Sequence, residues 1–377
     1  MAIYVDVSAA VHGKAGLARY SQSLVQALTP RLGERLRLFQ NSLGSVGSLE
    51  GWQGAAPAGV REGYRLWRAR VLAQQLVRAP MDRLVPNAEL FHATEHLLPR
   101  FRSVPTVLTV HDLIFQRYPQ YHKFKNYAYL RLAMPLYCRR ADAIITVSEF
   151  SKRDLVRLYG VPEDKVTVIP EAAADHFGPA DPSEVERVRD RYGLPQRYLL
   201  AVGTIEPRKN LSRLADACGP LLDEGLVDGL VLVGSKGWLF EGFYEHLETL
   251  PWRDKVLFPG FVADADLSAV YSGAMIAVQP SLYEGFGLPV LEAMACGSPV
   301  CSSDAASLPE VGGDVARYFA PVETEEMIDA LRGLLRDPEA RRDMSRRGIE
   351  RARLFSWDRA AEMTQAVYER VIARAGA

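Results

Sequence analysis

Strand and helix patterns alternate along the whole chain, and this constrains the fold more than any other feature: it predicts parallel α/β layers. Strand candidates in the first half are 3–7, 36–39, 89–92, 106–110, 143–147 and 166–169. In the second half, 198–203, 229–234, 256–262 and 275–278 read the same way. Glycines 44, 47, 51, 54 and 59, with Pro57, mark a mobile loop, and no short-period repeat is visible. The run 170–182 has neither period and contains three prolines, which places a linker at 173–182. At 377 residues, 48% hydrophobic and 24% charged, the chain suits two domains of ordinary size, 1–172 and 183–356, with a capped helix over 357–377.

The run Pro280-Ser-Leu-Tyr-Glu-Gly-Phe-Gly-Leu-Pro-Val-Leu-Glu-Ala-Met-Ala-Cys-Gly297 carries the most chemistry. Gly285 and Gly287 supply a tight turn whose backbone can approach a ligand, Pro289 suits a first helical position, and Gly297 with Pro299 marks the helix end. Glu284 then sits on the turn and Glu292 inside the helix. Unpaired amides and the positive dipole end at the helix mouth favour a phosphate. The two carboxylates would repel that phosphate and suit sugar hydroxyls better; the plain alternative is a strand-turn-helix with solvated glutamates.

This segment resembles the E-x7-E signature of family-4 retaining glycosyltransferases. The resemblance implies the GT-B arrangement: an N-terminal acceptor-binding and a C-terminal donor-binding Rossmann-like domain, their parallel sheets facing across a cleft, with the C-terminal helix crossing back to the N-domain. It further implies that Glu284 contacts the donor sugar, that Glu292 contacts the ribose, and that Gly285, Phe286, Gly287 and Leu288 line the donor site.

Upstream, the strand ending at Gly203 leads into Thr-Ile-Glu-Pro-Arg208-Lys209-Asn210. Loops at the carboxyl ends of strands line the ligand crevice of open α/β sheets. Arg208 and Lys209 can there neutralise a diphosphate without a metal, although a solvated basic pair before an Asn cap also fits. The run resembles the family's G-x-x-x-P-x-K-N diphosphate loop. By the same resemblance Gly234 and Phe261 flank the nucleotide base, against a plain reading as a turn glycine and a core strand. Asp264 and Asp266 resemble an Asp-x-Asp metal pair, but acids at a helix start are explained by capping and the dipole. No cofactor or metal is expected.

On the acceptor side, His12-Gly13-Lys14-Ala15-Gly16-Leu17-Ala18-Arg19-Tyr20 reads as a glycine-bearing loop entering a helix. It is like the family's G-x-G-R-Y loop, with Ala18 in place of the second glycine; Gly13 and Gly16 serve either as turn glycines or as phosphate contacts. His111 and Asp112 end a strand. His111 is either a satisfied structural residue or, by resemblance, the histidine near the reacting sugar, and Asp112 orients it or caps the next segment. Ser148 caps the helix near Glu149 or touches acceptor.

Residues 1–172 hold 23 Lys plus Arg against 14 Asp plus Glu, and the remainder 22 against 32. Arg61, Arg65, Arg68 and Arg70, interleaved with apolar residues, suggest a solvated helix or contact with an anionic membrane or a lipid-linked diphosphate. Cys138, Cys218, Cys296 and Cys301 read as reduced core thiols. With no basic leader and no apolar stretch of about 18 residues, a cytoplasmic protein is expected, peripheral at most on the inner membrane face. Nothing in the sequence suggests a nucleic-acid partner. The combined expectation is a retaining hexosyltransferase using GDP-mannose, by resemblance to bacterial surface-polysaccharide mannosyltransferases; a nucleotide-sugar epimerase and a silent sugar-nucleotide-binding module stay open.

Overall fold

A computed structural model describes residues 1–13, 15–44, 49 and 51–376; Lys14, Gly47 and Ala377, included in the readings above, lie outside the described residues. The chain divides into two compact units. One holds Met1–Gln116, Phe124–Glu171 and the segment from Ser356 onward; the other holds Arg117–Lys123 and Ala172–Phe355.

The first unit carries β1 (Ala2–Asp6), β2 (Leu36–Asn41), β3 (Ala58–Val60), β4 (Ala88–Ala93), β5 (Thr106–Val110), β6 (Ala143–Thr146) and β7 (Val166–Val168). The second carries β8 (Tyr198–Val202), β9 (Gly229–Val233), β10 (Val256–Leu257), β11 (Ile276–Gln279), β12 (Val300–Ser303) and β13 (Arg317–Phe319). The sheet orders are β3-β2-β1-β4-β5-β6-β7 and β10-β9-β8-β11-β12-β13. Each is doubly wound, reversing direction beside its first strand, between β1 and β4 in one unit and between β8 and β11 in the other. Loops leaving those strand ends flank a crevice where open α/β sheets bind ligands. Both sheets are therefore Rossmann-like and parallel, as the alternation predicts.

Strands such as Thr106–Val110 and Gly229–Val233 are buried at every position, as expected where helices cover both faces of a parallel sheet. The glycine loop of the first half contains the short strand β3, which the sequence pattern hides. Gly59 has φ +155°, and a Cβ there would lie 1.8 Å from the Gln40 carbonyl oxygen, so only glycine permits the pairing. Strands β12 and β13 were likewise not expected, and β10 is far shorter than 256–262, because Pro259 and Gly260, at φ +77°, end its pairing.

Separate apolar cores fill the units. Phe39, Trp67, Phe91 and Tyr137 belong to the first, Leu214, Leu230, Ile276 and Leu331 to the second. The helix Trp357–Gly376 joins the first unit through a buried polar chain. Tyr368 Oη lies 2.6 Å from His92 Nδ1 and His92 Nε2 lies 2.7 Å from Thr109 Oγ1.

The helix Tyr64–Val77 does not present four free arginines. Trp67 and Val71 turn into the core, Arg68 lies 3.8 Å from the Tyr129 ring centroid and donates to Asn126, and Arg70 pairs with Glu62. Only Arg61 and Arg65 of the four stay exposed, so the basic membrane face read from the sequence is largely consumed by internal contacts. Among the described residues no helix is long and apolar enough to cross a membrane.

The loops after β8 and β9 run against each other. Gly203 N–H donates to Val233 O at 2.8 Å and Ile205 N–H to Ser235 O at 2.9 Å. At Gly234 φ is +155°, and a Cβ would sit 2.0 Å from Gly203 O. Gly234→Ala is expected to cost about 1–3 kcal/mol by overpacking, read as a lowered midpoint in urea unfolding.

Candidate active site

The two loops leaving β8 and β11 meet on Glu284. Pro207–Lys209 forms a single 3-10 turn, and Leu282 N–H donates to the Arg208 carbonyl at 2.8 Å, stitching the loops together. Lys209 Nζ then reaches Glu284 Oε1 at 2.6 Å and Arg208 Nη1 reaches Oε2 at 2.8 Å. Oε1 also accepts from Ser281 Oγ at 2.6 Å and Gln279 Nε2 at 2.8 Å. A second carboxylate, Glu206, takes Arg208 Nη2 at 2.6 Å.

Glu284 and Lys209 are both buried. Burial alone would raise the Glu284 pKa, but the charges of Lys209 and Arg208, with the bonds from Lys209 and Ser281, override it and hold the carboxyl at about 2. Burial lowers the Lys209 pKa, and Glu284 only partly opposes that. Gly203, at φ +144°, makes room for the ammonium, since a Cβ there would stand 3.3 Å from Lys209 Nζ.

Beside this cluster the helix Leu288–Ala295 begins, capped by Gly287 at φ +120° with Pro at its start. Val290 and Leu291 N–H turn back to Gly287 O, so the amides at 286–288 precede the first bonds of the helix. The turn is pinned from behind. Ser307 Oγ lies 2.9 Å from the carbonyl of Glu284 and 2.7 Å from that of Phe286, Ser303 Oγ donates to Ser281 O at 2.6 Å, and the Phe286 ring packs edge-on to Phe355. Arg208, Lys209, Glu284 and the turn Gly285-Phe286-Gly287-Leu288 are thus assembled at the switch point of the second sheet.

The other expected donor residues are placed differently. Glu292 is 2% exposed and its Oε2 accepts from Tyr271 Oη at 2.8 Å. Phe261 is 88% exposed and packs into no part of the charged cluster. Gly234 is required by backbone approach to Gly203. Asp266 is taken by Arg187, Arg191 and Tyr192, at 2.5, 2.9 and 2.8 Å, which ties the helices Pro182–Tyr192 and Asp264–Ser272 together.

In the first unit, His111 directly follows β5 with both ring nitrogens occupied, Nδ1 at 3.2 Å from Glu171 Oε1 and Nε2 at 2.9 Å from Thr94 O. Asp112 does not orient it; its Oδ1 accepts from Ile114 N–H at 3.1 Å and caps the next segment. Ser148 caps its helix, accepting from Ser151 N–H at 3.1 Å, and Ser151 Oγ donates to His111 O. Gly13 is an exposed turn glycine at φ +62°. Gly16 lies inside the helix Ala15–Leu32 rather than in a loop before it, with nothing within 4 Å of an added Cβ.

A family model described as glycosyl transferases group 1 matches residues 184–351, and one described as glycosyltransferase family 4 matches 15–173. The O-antigen chain mannosyltransferase B of Escherichia coli is 32% identical over 372 residues, 94% of this chain and 96% of the relative. The chain belongs to the group 1 glycosyltransferases. Its fold is GT-B-type, like that of the sucrose-phosphate synthase of Thermosynechococcus elongatus, at TM-score 0.78 and 21% identity over 99% of this chain and 100% of that one. The Anabaena protein HepE, solved with UDP and glucose, matches at TM-score 0.75 and 16% identity over 98% of this chain and 99% of the other.

Several partners in this glycosyltransferase escape sequence reading. Glu206, Gln279 and Ser281 complete the Glu284 cluster, and Glu171, which falls in the prolyl stretch beside the linker, faces His111. Only the Glu-Pro-Arg-Lys spacing hinted at Glu206. Because the fold depresses the Glu284 pKa, its stabilisation is complete above the unfolded value near 4.5 and is lost as pH falls towards 2. Glu284→Gln leaves two cations without their shared partner and is expected to cost about 3–5 kcal/mol at pH 7, a gap that narrows towards pH 3 in urea unfolding.

Proposed function

We propose that this glycosyltransferase moves a hexosyl unit, mannose from GDP-mannose in the first instance, onto a hydroxyl of a glycan or lipid-linked acceptor, with retained configuration and without a metal. The observation that carries this reading is the convergence of Arg208 and Lys209 with the amide-bearing helix start at Gly287 and Leu288. A diphosphate leaving group gathers negative charge as the glycosidic bond breaks. Fixed cations and backbone donors oppose that charge most strongly in the transition state. Two fixed cations supply what a metal would otherwise supply, and Asp266, the acid of the Asp-x-Asp pair that would be called on, is held by two arginines.

Retention needs either a carboxylate nucleophile or attack from the same face. Glu284 makes a poor nucleophile: four side chains donate to it and its basicity is strongly depressed. That favours same-face attack, in which a donor phosphate oxygen takes the acceptor proton. Likeness to the E. coli O-antigen chain mannosyltransferase supports mannose and a polysaccharide acceptor, whereas UDP-glucose is the competing donor because HepE was solved with UDP and glucose. Transfer is also preferred to the epimerase and the silent module because the family is one of transferases.

Lys209→Ala is expected to lower turnover by about 100-fold or more under conditions where circular dichroism shows the variant still folded, since it also strips Glu284 of a buried counter-charge; normal turnover removes its role. GDP is expected to raise the melting temperature more than UDP, GDP-mannose to give an α-mannoside by NMR, and excess chelator to leave the rate unchanged. Activity lost to chelator and restored by magnesium would contradict the metal-free reading.

A further inference from the structure

His111 is buried in the first unit with every polar position spent on protein. The Thr94 carbonyl can only accept, so Nε2 carries a hydrogen; an ionised Glu171 carboxylate can only accept, so Nδ1 carries one as well. The Tyr20 ring meets the imidazole edge-on at 4.5 Å and so fixes its plane, and Tyr20 Oη is held 3.1 Å from Thr109 Oγ1. We propose that Glu171 is the positioning residue that keeps His111 doubly protonated, so that His111 acts as a fixed cation and not as the base that accepts the acceptor's proton.

This rests on the reading of transfer given above and narrows it, because the acceptor proton must then leave by another route, such as the donor phosphate. The other ionisable groups facing the ring are Asp112, His92 and His96, the last with its centroid 6.3 Å away. Burial works against a charge on His111, yet the bond to Glu171 and its charge, the Thr94 carbonyl and Asp112 outweigh it and the pKa rises. His92, buried between Tyr368 and Thr109, is pushed the other way to about 3 and stays neutral beside it.

The test is side-chain 15N NMR of the full chain, with His111 assigned by its disappearance in His111→Gln. At pH 7 both His111 nitrogens are expected at imidazolium shifts. In Glu171→Gln the ring becomes neutral and titrates at least one unit lower, and Glu171→Asp falls between. In transfer assays Glu171→Gln should lower kcat and move its pH profile to lower pH, leaving the donor KM unchanged. A neutral wild-type His111 at pH 7, or a charged one that survives Glu171→Gln, overturns the proposal. The NMR readout needs no turnover, so it stands or falls separately from the assignment of donor and reaction. If Glu171→Gln fails to fold, the wild-type spectrum and Glu171→Asp decide it.

Discussion

The second unit is organised around one buried carboxylate that faces two cations. Taking charges out of water is expensive, and a buried pair persists only where geometry and extra hydrogen bonds repay the desolvation. Glu284 meets that condition with Lys209 and Arg208 as counter-charges and Ser281 and Gln279 as further donors. The arrangement joins loops about 75 residues apart in the chain. It also keeps a lysine and an arginine folded, oriented and charge-balanced beside a helix start before any anion arrives. Under the proposed function, an arriving diphosphate would compete with Glu284 and Glu206 for cations that are already in place, with little reorganisation left for the moment of reaction.

Topology explains why those loops meet. Strands β8 and β11 are neighbours at the reversal of the second sheet, so the segments leaving their carboxyl ends open onto one crevice. The first unit has the same kind of reversal between β1 and β4, and His111 follows β5, the strand beside β4. There the chemistry is arranged in another way: a histidine closed in by a carbonyl, a carboxylate and a tyrosine ring instead of cations pooled around an acid.

Much of this was legible in the residues. Short apolar runs located most strands of both sheets, and the turn Gly285–Gly287 before Pro289 placed the helix start within one residue. What escaped depended on distant partners. Spacing showed Glu284 and Glu292 as two similar acids, whereas burial gives one to Lys209 and Arg208 and the other to Tyr271. Glu171 sat in an aperiodic proline-rich run, and no local pattern reveals a partner 60 residues upstream. Strand β3 was hidden by the glycine that makes it possible, and Arg68 and Arg70 looked available until Tyr129, Asn126 and Glu62 came into place.

The most direct measurement is a crystal structure with a nucleoside diphosphate bound. The account predicts diphosphate oxygens within hydrogen-bond distance of Lys209 Nζ, the Arg208 guanidinium and the backbone amides at 286–288, with the Glu284 contacts loosened to release both cations. A diphosphate seated elsewhere, with Lys209 and Arg208 still closed on Glu284, would contradict it.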